Sequence, residues 1–307
     1  MKTFYILHEN HQWMPSIRDA LNRKQVQFEE WYLADGGLID LTTPPPNGIF
    51  LNRVSPSAHT RNHQHSSSYA LAVLNWLETY QRVVLNGSNI MNMEISKIAQ
   101  FNALSTADIA TPKTMAAFSK DDLLIAAKKL GFPLLTKHNC GGRGAGVRKF
   151  DYLEDLQDYL KSDEYEEPVD GINLVQEYIS SPEKCIIRLE FINKKFVYAV
   201  RISTADSFNL CPADSCSIEG SFCATSAPEE KFKILQNFAH PLIPQCEDFL
   251  KFHNMDVAGI EFITDANGKS YVYDINANTN YNTKAETQAG ISAHDTLAKF
   301  IAKLQQN

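Results

Sequence analysis

The stretch that decides the reading is Asp256-Val257-Ala258-Gly259-Ile260-Glu261-Phe262-Ile263-Thr264-Asp265-Ala266-Asn267-Gly268-Lys269-Ser270-Tyr271-Val272-Tyr273-Asp274-Ile275-Asn276. Two β-rich runs flank Asn-Gly, the strongest short hairpin signal. With Asn267 and Gly268 as the two turn residues, counting outward sets Glu261 directly opposite Asp274. Facing Cβ atoms are about 5 Å apart, and like charges there destabilise a hairpin. A divalent cation relieves that repulsion. Asn276 lies two residues past Asp274 and so shares its face. Two carboxylates and an amide oxygen make a hard-oxygen site suited to Mg²⁺. The alternative is a pair of solvated acids on a rim, and apolar Ile260, Phe262, Val272, Tyr273 and Ile275 argue against it.

Upstream, His138-Asn139-Cys140-Gly141-Gly142-Arg143-Gly144-Ala145-Gly146-Val147 holds four of the fourteen glycines. A Walker A loop would need lysine where Val147 stands. A dinucleotide fingerprint would need a different glycine order and a helix afterwards, whereas a strand follows. Two readings stay open. One is a hairpin tip whose bare N–H groups close over phosphates, with Lys137 supplying a cation. The other is an ordinary glycine-rich turn.

At 307 residues the chain has room for two or three domains. It is 44% hydrophobic and 21% charged, which excludes a disordered chain. No apolar run is long enough to span a bilayer, and Met1 to Glu9 does not read as a signal peptide. A net charge of −7 without a long basic run argues against a nucleic-acid partner. Cysteines 140, 185, 211, 216, 223 and 246 form no C-x-x-C pair and read as reduced thiols of a cytoplasmic protein.

Strand–helix alternation organises the first segment. Strands at 4–7, 48–51 and 82–86 enclose helices at 14–24 and 69–80, which favours a parallel sheet with ligands at strand C-termini. The middle segment reads as helices at 96–105 and 121–130, a strand at 132–137, the glycine loop, a strand at 146–150, a helix at 153–159 and a strand at 172–178. The last segment begins with a hairpin, 186–191 and 196–202. A polar stretch at 203–228 follows, then a helical stretch over 231–253 interrupted near Pro241 and Pro244. The carboxylate hairpin and a helix at 294–304 end the chain.

Lys97 in a helix after an inter-domain turn, Lys137 before the glycine loop, Val175-Gln176-Glu177-Tyr178-Ile179, and Glu261, Asp274 and Asn276 on one hairpin together resemble the ATP-grasp carboxylate–amine ligases. The α-L-glutamate ligase (RimK-like) branch is the most similar. The resemblance implies an α/β (α+β) ATP-grasp fold: an N-terminal domain at 1–87, a nucleotide-binding subdomain at 88–178 and a metal-bearing subdomain at 179–307 that clamp ATP. By the same resemblance Lys97 and Lys137 bind ATP phosphates, and the stretch with Gly141, Gly142, Gly144 and Gly146 is the lid. Gln176, Glu177, Tyr178 and Ile179 form the adenine hinge. Glu261, Asp274 and Asn276 hold Mg²⁺ or Mn²⁺. Arg188 and Arg201 neutralise the γ-phosphate and the acyl phosphate. Asn52, Arg53, Asn209 and Asn278 face substrate, and ribose contact falls to Glu183 or Lys184.

The implied reaction is ATP-dependent amide formation between a carboxylate and an amine, such as glutamate addition to a peptide or metabolite. The alternatives are a peptide-modifying ligase forming ester or amide crosslinks and a non-catalytic ATP-binding protein. The partners implied are these small-molecule or peptide substrates and other copies in a homo-oligomer, with no nucleic acid and no membrane. Two departures stand out. The metal pair reads Glu then Asp, where the family usually has Asp then Glu. Ala277-Asn278-Thr279-Asn280 replaces the usual small residue and proline-glycine. His59, His63 and His65 read as solvated loop residues, and Cys211, Cys216 and Cys223 as structural thiols. Trp13, Trp31 and Trp76 read as packing residues.

Overall fold

The computed structural model describes residues 2–34, 36–142, 146–204 and 231–306. Three sheets carry the described chain, and each explains where one part of the site comes from. In the first, strands β1 (Thr3–His8), β2 (Phe28–Tyr32), β3 (Gly48–Arg53) and β4 (Val83–Leu85) are all parallel in the order β2-β1-β3-β4. Helices α1 (Pro15–Arg23) and α2 (Ser66–Thr79) accompany it. Pro15 suits the first helical position, where its missing N–H is not needed. Helices α3 (Ser88–Glu94) and α4 (Lys97–Thr106) follow. Ser96 caps α4 by accepting a hydrogen bond from Ala99 N at 3.3 Å.

The second sheet is antiparallel, ordered β5 (Thr114–Ala117), β8 (Asn173–Glu177), β6 (Leu134–His138) and β7 (Arg148–Phe150). Helices α5 (Lys120–Leu130) and α6 (Leu153–Lys161) share one core with it, built on Leu123, Ala127, Leu134, Phe150, Leu156 and Val175.

The third sheet is antiparallel, ordered β11 (Phe232–Leu235), β10 (Lys195–Ser203), β9 (Cys185–Ile192), β12 (Val257–Thr264) and β13 (Ser270–Asn276). Helices α7 (Leu242–His253), α8 (Thr283–Ala289) and α9 (Ala293–Gln306) complete the described chain. The stretch expected to be helical from 231 is corrected. Its start is the edge strand β11, with Ile234 in register with Val200. Helix α7 begins only after Pro241, and Pro244 falls in its first turn, where proline is tolerated. Elements β2, α3 and α8 were not expected.

Helix α9 returns to the front of the molecule. Gln305 Nε2 donates to the carbonyls of Lys2 and Gln27, both at 3.0 Å, and Arg23 pairs with Asp295 at 2.7 Å. Ile17, Leu21, Ile186, Val200, Leu297 and Ile301 belong to one buried cluster, so the first and last segments share a core. No helix among the described residues is long and apolar enough to cross a membrane.

The turn of the carboxylate hairpin differs from the two-residue form expected. Thr264 pairs with Ser270, and Asp265 N donates to Lys269 O at 2.9 Å, so the loop is Ala266-Asn267-Gly268 with Gly268 at φ +79°. The Asp265 carboxylate accepts from the N–H groups of Asn267 and Lys269 at 2.8 and 2.9 Å, which holds the turn. A bulge then adds one residue to β13 next to Phe262, and the two departures offset one another. Glu261 and Asp274 are paired as expected.

Candidate functional site

The three sheets and helix α4 meet around a cavity of about 450 Å³. Helix α4 supplies its first cation. Lys97 Nζ donates to the Asp274 carboxylate, and Asn276 Nδ2 donates to the other oxygen of Asp274 at 3.2 Å. One turn along α4, Gln100 Nε2 donates to the carbonyls of Met93 and Ile275, both at 2.9 Å, and its Oε1 accepts from Ile275 N at 3.0 Å. This buried amide ties α4 to β13 and so fixes Lys97 against Asp274.

Strand β9 supplies the second cation. Arg188 lies in register with Glu261 and donates from Nη1 to Glu261 Oε1 at 2.8 Å. Its Nε donates to Glu190 Oε1 at 2.6 Å and its Nη2 to the hydroxyl of Thr279. Tyr273 OH donates to the second oxygen of Glu261 at 3.0 Å. Gly259 leaves room for this guanidinium, because a Cβ there would fall 2.5 Å from Arg188 Nη2. Burial works to raise the pKa of Asp274, and the Lys97 ammonium outweighs it, leaving the group below its usual value. In Glu261 burial wins over Arg188 and the group lies above its usual value. Lys137, on β6, is 5% exposed; it donates to the carbonyl of Tyr273 at 3.4 Å and lies over the rings of Phe101 and Tyr273, 4.9 and 6.0 Å from their centres. Burial, aided by Lys97, pushes its ammonium down to about 7.

Residues 95–211 match the RimK-like ATP-grasp domain. The chain carries an ATP-grasp domain of that type. Over 127 residues, 41% of this ATP-grasp chain, it is 31% identical to the α-aminoadipate–LysW ligase LysX of Saccharolobus solfataricus. That match covers 46% of the relative, so the chain spans about half the length of the curated relatives it matches. Among solved structures, the ATP-grasp ligase PsnB complexed with minimal precursor superposes with a TM-score of 0.69 at 15% identity, over 98% of this chain and 99% of that one. The RimK domain ATP-grasp protein of Sphaerobacter thermophilus gives 0.65 at 14%, over 97% and 99%. At these identities the likeness shows the ATP-grasp fold.

Most of the residues singled out in the sequence converge on the cavity of this ATP-grasp chain. Lys97, Lys137, Gly141, Gly142, Gln176, Glu177, Tyr178, Ile179, Arg188, Glu261, Asp274, Asn276 and Asn278 all line it. The Glu177 carboxylate is already engaged by Lys113 N at 2.8 Å, and Gln176 Nε2 donates to Thr114 Oγ1 at 2.7 Å, so these side chains fasten β8 to β5.

Others stand back from it. Asn52 Oδ1 accepts from Val54 N at 3.1 Å and closes a turn. Arg53 is buried beneath the wall, donating to Thr279 O at 2.7 Å and Asn280 Oδ1 at 2.9 Å, while Asn278 Nδ2 donates to Arg53 O at 2.7 Å. Gly146 packs its backbone against the His138 imidazole, where a Cβ would lie 2.4 Å from the ring. Glu183 and Arg201 lie off the lining, with Arg201 Nη2 donating to Glu183 O at 3.2 Å. Lys184, not Glu183, lines that wall.

A bulge in β10 between Phe196 and Tyr198 explains Arg201. It sets Val200 opposite Arg188 and Arg201 opposite Ile187, so the two arginines emerge on opposite faces of the sheet. Gly144, Asn209, Cys211, Cys216 and Cys223 lie outside the described residues.

Sequence reasoning missed Glu94, Trp13, Ser55 and Ser57, which also line the cavity. Burial pushes Glu94 up to about 7, against the opposing effect of its hydrogen bond from Ala277 N. The histidine loop is tied down beside them: His63 Nδ1 lies 3.2 Å from Glu9 Oε2, and Arg61 grips both oxygens of Glu9 at 2.7 and 3.1 Å.

Proposed function

We propose that this chain is an ATP- and Mg²⁺-dependent ligase that joins a carboxylate to an amine through an acyl phosphate. The observation that carries the reading is the facing pair of buried Glu261 and half-buried Asp274, beside Lys97, Lys137 and Arg188 at one cavity. The donor set fits a hard dication. Two carboxylates and the Asn276 amide share one face, and cationic side chains now meet both acids. Glu261, Asp274 and Asn276 would hold the metal, which when bound supplies positive charge to the phosphate oxygens.

Lys97 and Lys137 place two ammonium groups where the β- and γ-phosphates would lie. Tyr178 and Ile179 offer backbone groups to the adenine edge, and Gly141 and Gly142 present unencumbered N–H groups to the phosphates. A carboxylate is a poor acyl donor because oxide would have to leave. Attack of its oxygen on the γ-phosphorus expels ADP and gives an acyl phosphate. An amine then attacks the carbonyl carbon, phosphate leaves, and the amine gives up a proton. Arg188, rigidly held, offsets charge on the transferring group. The largely buried cavity wall limits hydrolysis of the acyl phosphate by water. The reading extends to the addition of an amino acid, such as glutamate, to a peptide or small metabolite.

Measuring ADP release with amino acids and peptides as paired substrates tests this. Acceptor-stimulated ADP release with a matching amide product is expected. ATP binding without any acceptor-stimulated release across both classes would count against it.

A further inference from the structure

The front sheet holds a group of side chains that the ligase reading does not use. His8 ends β1, and the parallel register sets it beside Tyr32, with Ile6 beside Glu30. Alternation along a strand therefore puts His8, Glu30 and Tyr32 on one face. His11 follows His8 by three residues and opens a short 3-10 turn, His11–Trp13. Its ring stacks on Tyr32 at 4.1 Å and meets the His8 ring edge-on at 5.0 Å. One ligand atom from each of His8, His11 and Glu30 lies within 4.8 Å of the others.

His8 is the telling member. It is 1% exposed, and neither ring nitrogen makes a hydrogen bond. Its Nε2 stands 3.1 Å from Glu30 Oε2 without the alignment of one. Burying an imidazole with unsatisfied nitrogens is costly. Buried polar atoms left in that state call for a partner. Glu30 is already oriented: Arg18 donates from Nε and Nη2 to its two oxygens, each at 2.6 Å. Each carboxylate oxygen has a further lone pair, so this grip leaves one facing His8. Carboxylates that bind metals are commonly held this way from behind.

We propose that His8, His11 and Glu30 form a site for a borderline-soft divalent transition metal of the zinc type, separate from the hard-oxygen site on the β12–β13 hairpin. Two imidazoles and one carboxylate are a zinc donor set, and three protein ligands leave a fourth position open. Mg²⁺ suits the site poorly, because it prefers oxygen donors. Binding would recruit exposed His11 and so order the turn that carries Trp13, a wall residue of the ATP-grasp cavity.

The test titrates the metal-free full chain with Zn²⁺ by calorimetry in excess Mg²⁺, and with Co²⁺ by visible absorption. His11→Ala and Asp274→Asn are compared with the wild type. His11 is exposed, so its truncation leaves the core intact. One equivalent of Zn²⁺ bound in the micromolar range or tighter is expected, with tetrahedral Co²⁺ bands. His11→Ala should weaken it at least about tenfold, and Asp274→Asn should leave it unchanged. No micromolar binding would overturn the proposal. So would binding that survives His11→Ala, or binding that disappears with Asp274→Asn and places the ion on the hairpin.

Discussion

Glu261 and Asp274 face each other across β12 and β13, and each carboxylate is held by its own cation. The two cations are not equivalent. Arg188 spreads its donors over Glu190, Glu261 and Thr279 and is 3% exposed, so it belongs to the framework of the sheet. Among the described residues Lys97 pairs with one carboxylate, Asp274, and it stands at the first position of a helix. A dication arriving at the pair can take over the role of Lys97 and free that ammonium for a phosphate, while Arg188 stays in place.

Asp274→Asn tests that division of roles. The substitution keeps the shape of the side chain and removes its charge, so the metal loses a ligand and Lys97 loses its partner. ADP release should fall at least about a hundredfold, the scale seen when one preorganised electrostatic group is lost. The thermal unfolding curve should remain cooperative, since the Arg188 network is untouched. Full turnover by this variant would sink the metal assignment.

Gly259→Ala probes the framework side. The new methyl would sit 2.5 Å from the Arg188 guanidinium and force it away from Glu190 and Glu261. Overpacking of this kind costs about 1–3 kcal/mol. Removing the guanidinium altogether, in Arg188→Ala, leaves two buried carboxylates unpaired and should cost about 3–5 kcal/mol. Urea unfolding of both variants should give that order. Equal stability of Gly259→Ala and wild type would mean that the close approach is not felt.

Lys137 predicts a proton uptake. Burial holds its free ammonium at about 7, so above that pH the free side chain is largely neutral. A phosphate beside it favours the charged form and raises the pKa. ATP binding near pH 8 should therefore take up close to one proton, and near pH 6 almost none. Affinity should fall as pH rises through about 7. Calorimetry in two buffers of different ionisation enthalpy counts the protons, and Lys137→Met should abolish the uptake. A buffer-independent enthalpy at pH 8 would place the phosphates elsewhere.

The legible parts of the site were those set by local pattern. Alternation and an Asn-Gly turn sufficed to pair Glu261 with Asp274, although only because a three-residue loop and a bulge offset one another. The helices expected at 96–105 and 121–130 are present, capped by Ser96 and Ser119. What escaped depends on contacts between distant segments. Glu94 lies in a short helix without a telling pattern, and its place is decided by Ala277 N, 183 residues away. Ser55, Ser57 and Trp13 reach the cavity only because the front sheet docks there, and residues of that sheet share a core with β9, β10 and α9. Edge strand β11 carries too few residues to show a period.

The two arginines show how one residue can move a side chain out of a site. Without the β10 bulge, the Asn193-Lys194 turn would set Arg188 opposite Ala199, and Arg201 would share the Arg188 face. The bulge shifts the pairing by one, so Val200 takes that place and Arg201 turns to Ile187 and Glu183. Its side chain is 37% exposed and its contact with the Glu183 carboxylate is 4.0 Å, an arrangement that contributes little. Arg201→Ala should therefore keep ADP release within about threefold of wild type and shift stability by no more than about 0.5 kcal/mol. Arg188→Lys, which retains charge but loses the planar fork, should lower the rate far more. Steady-state rates of the two variants, measured side by side, decide the matter. A loss in Arg201→Ala as deep as that in Arg188→Lys would mean that β10 changes register when substrate binds.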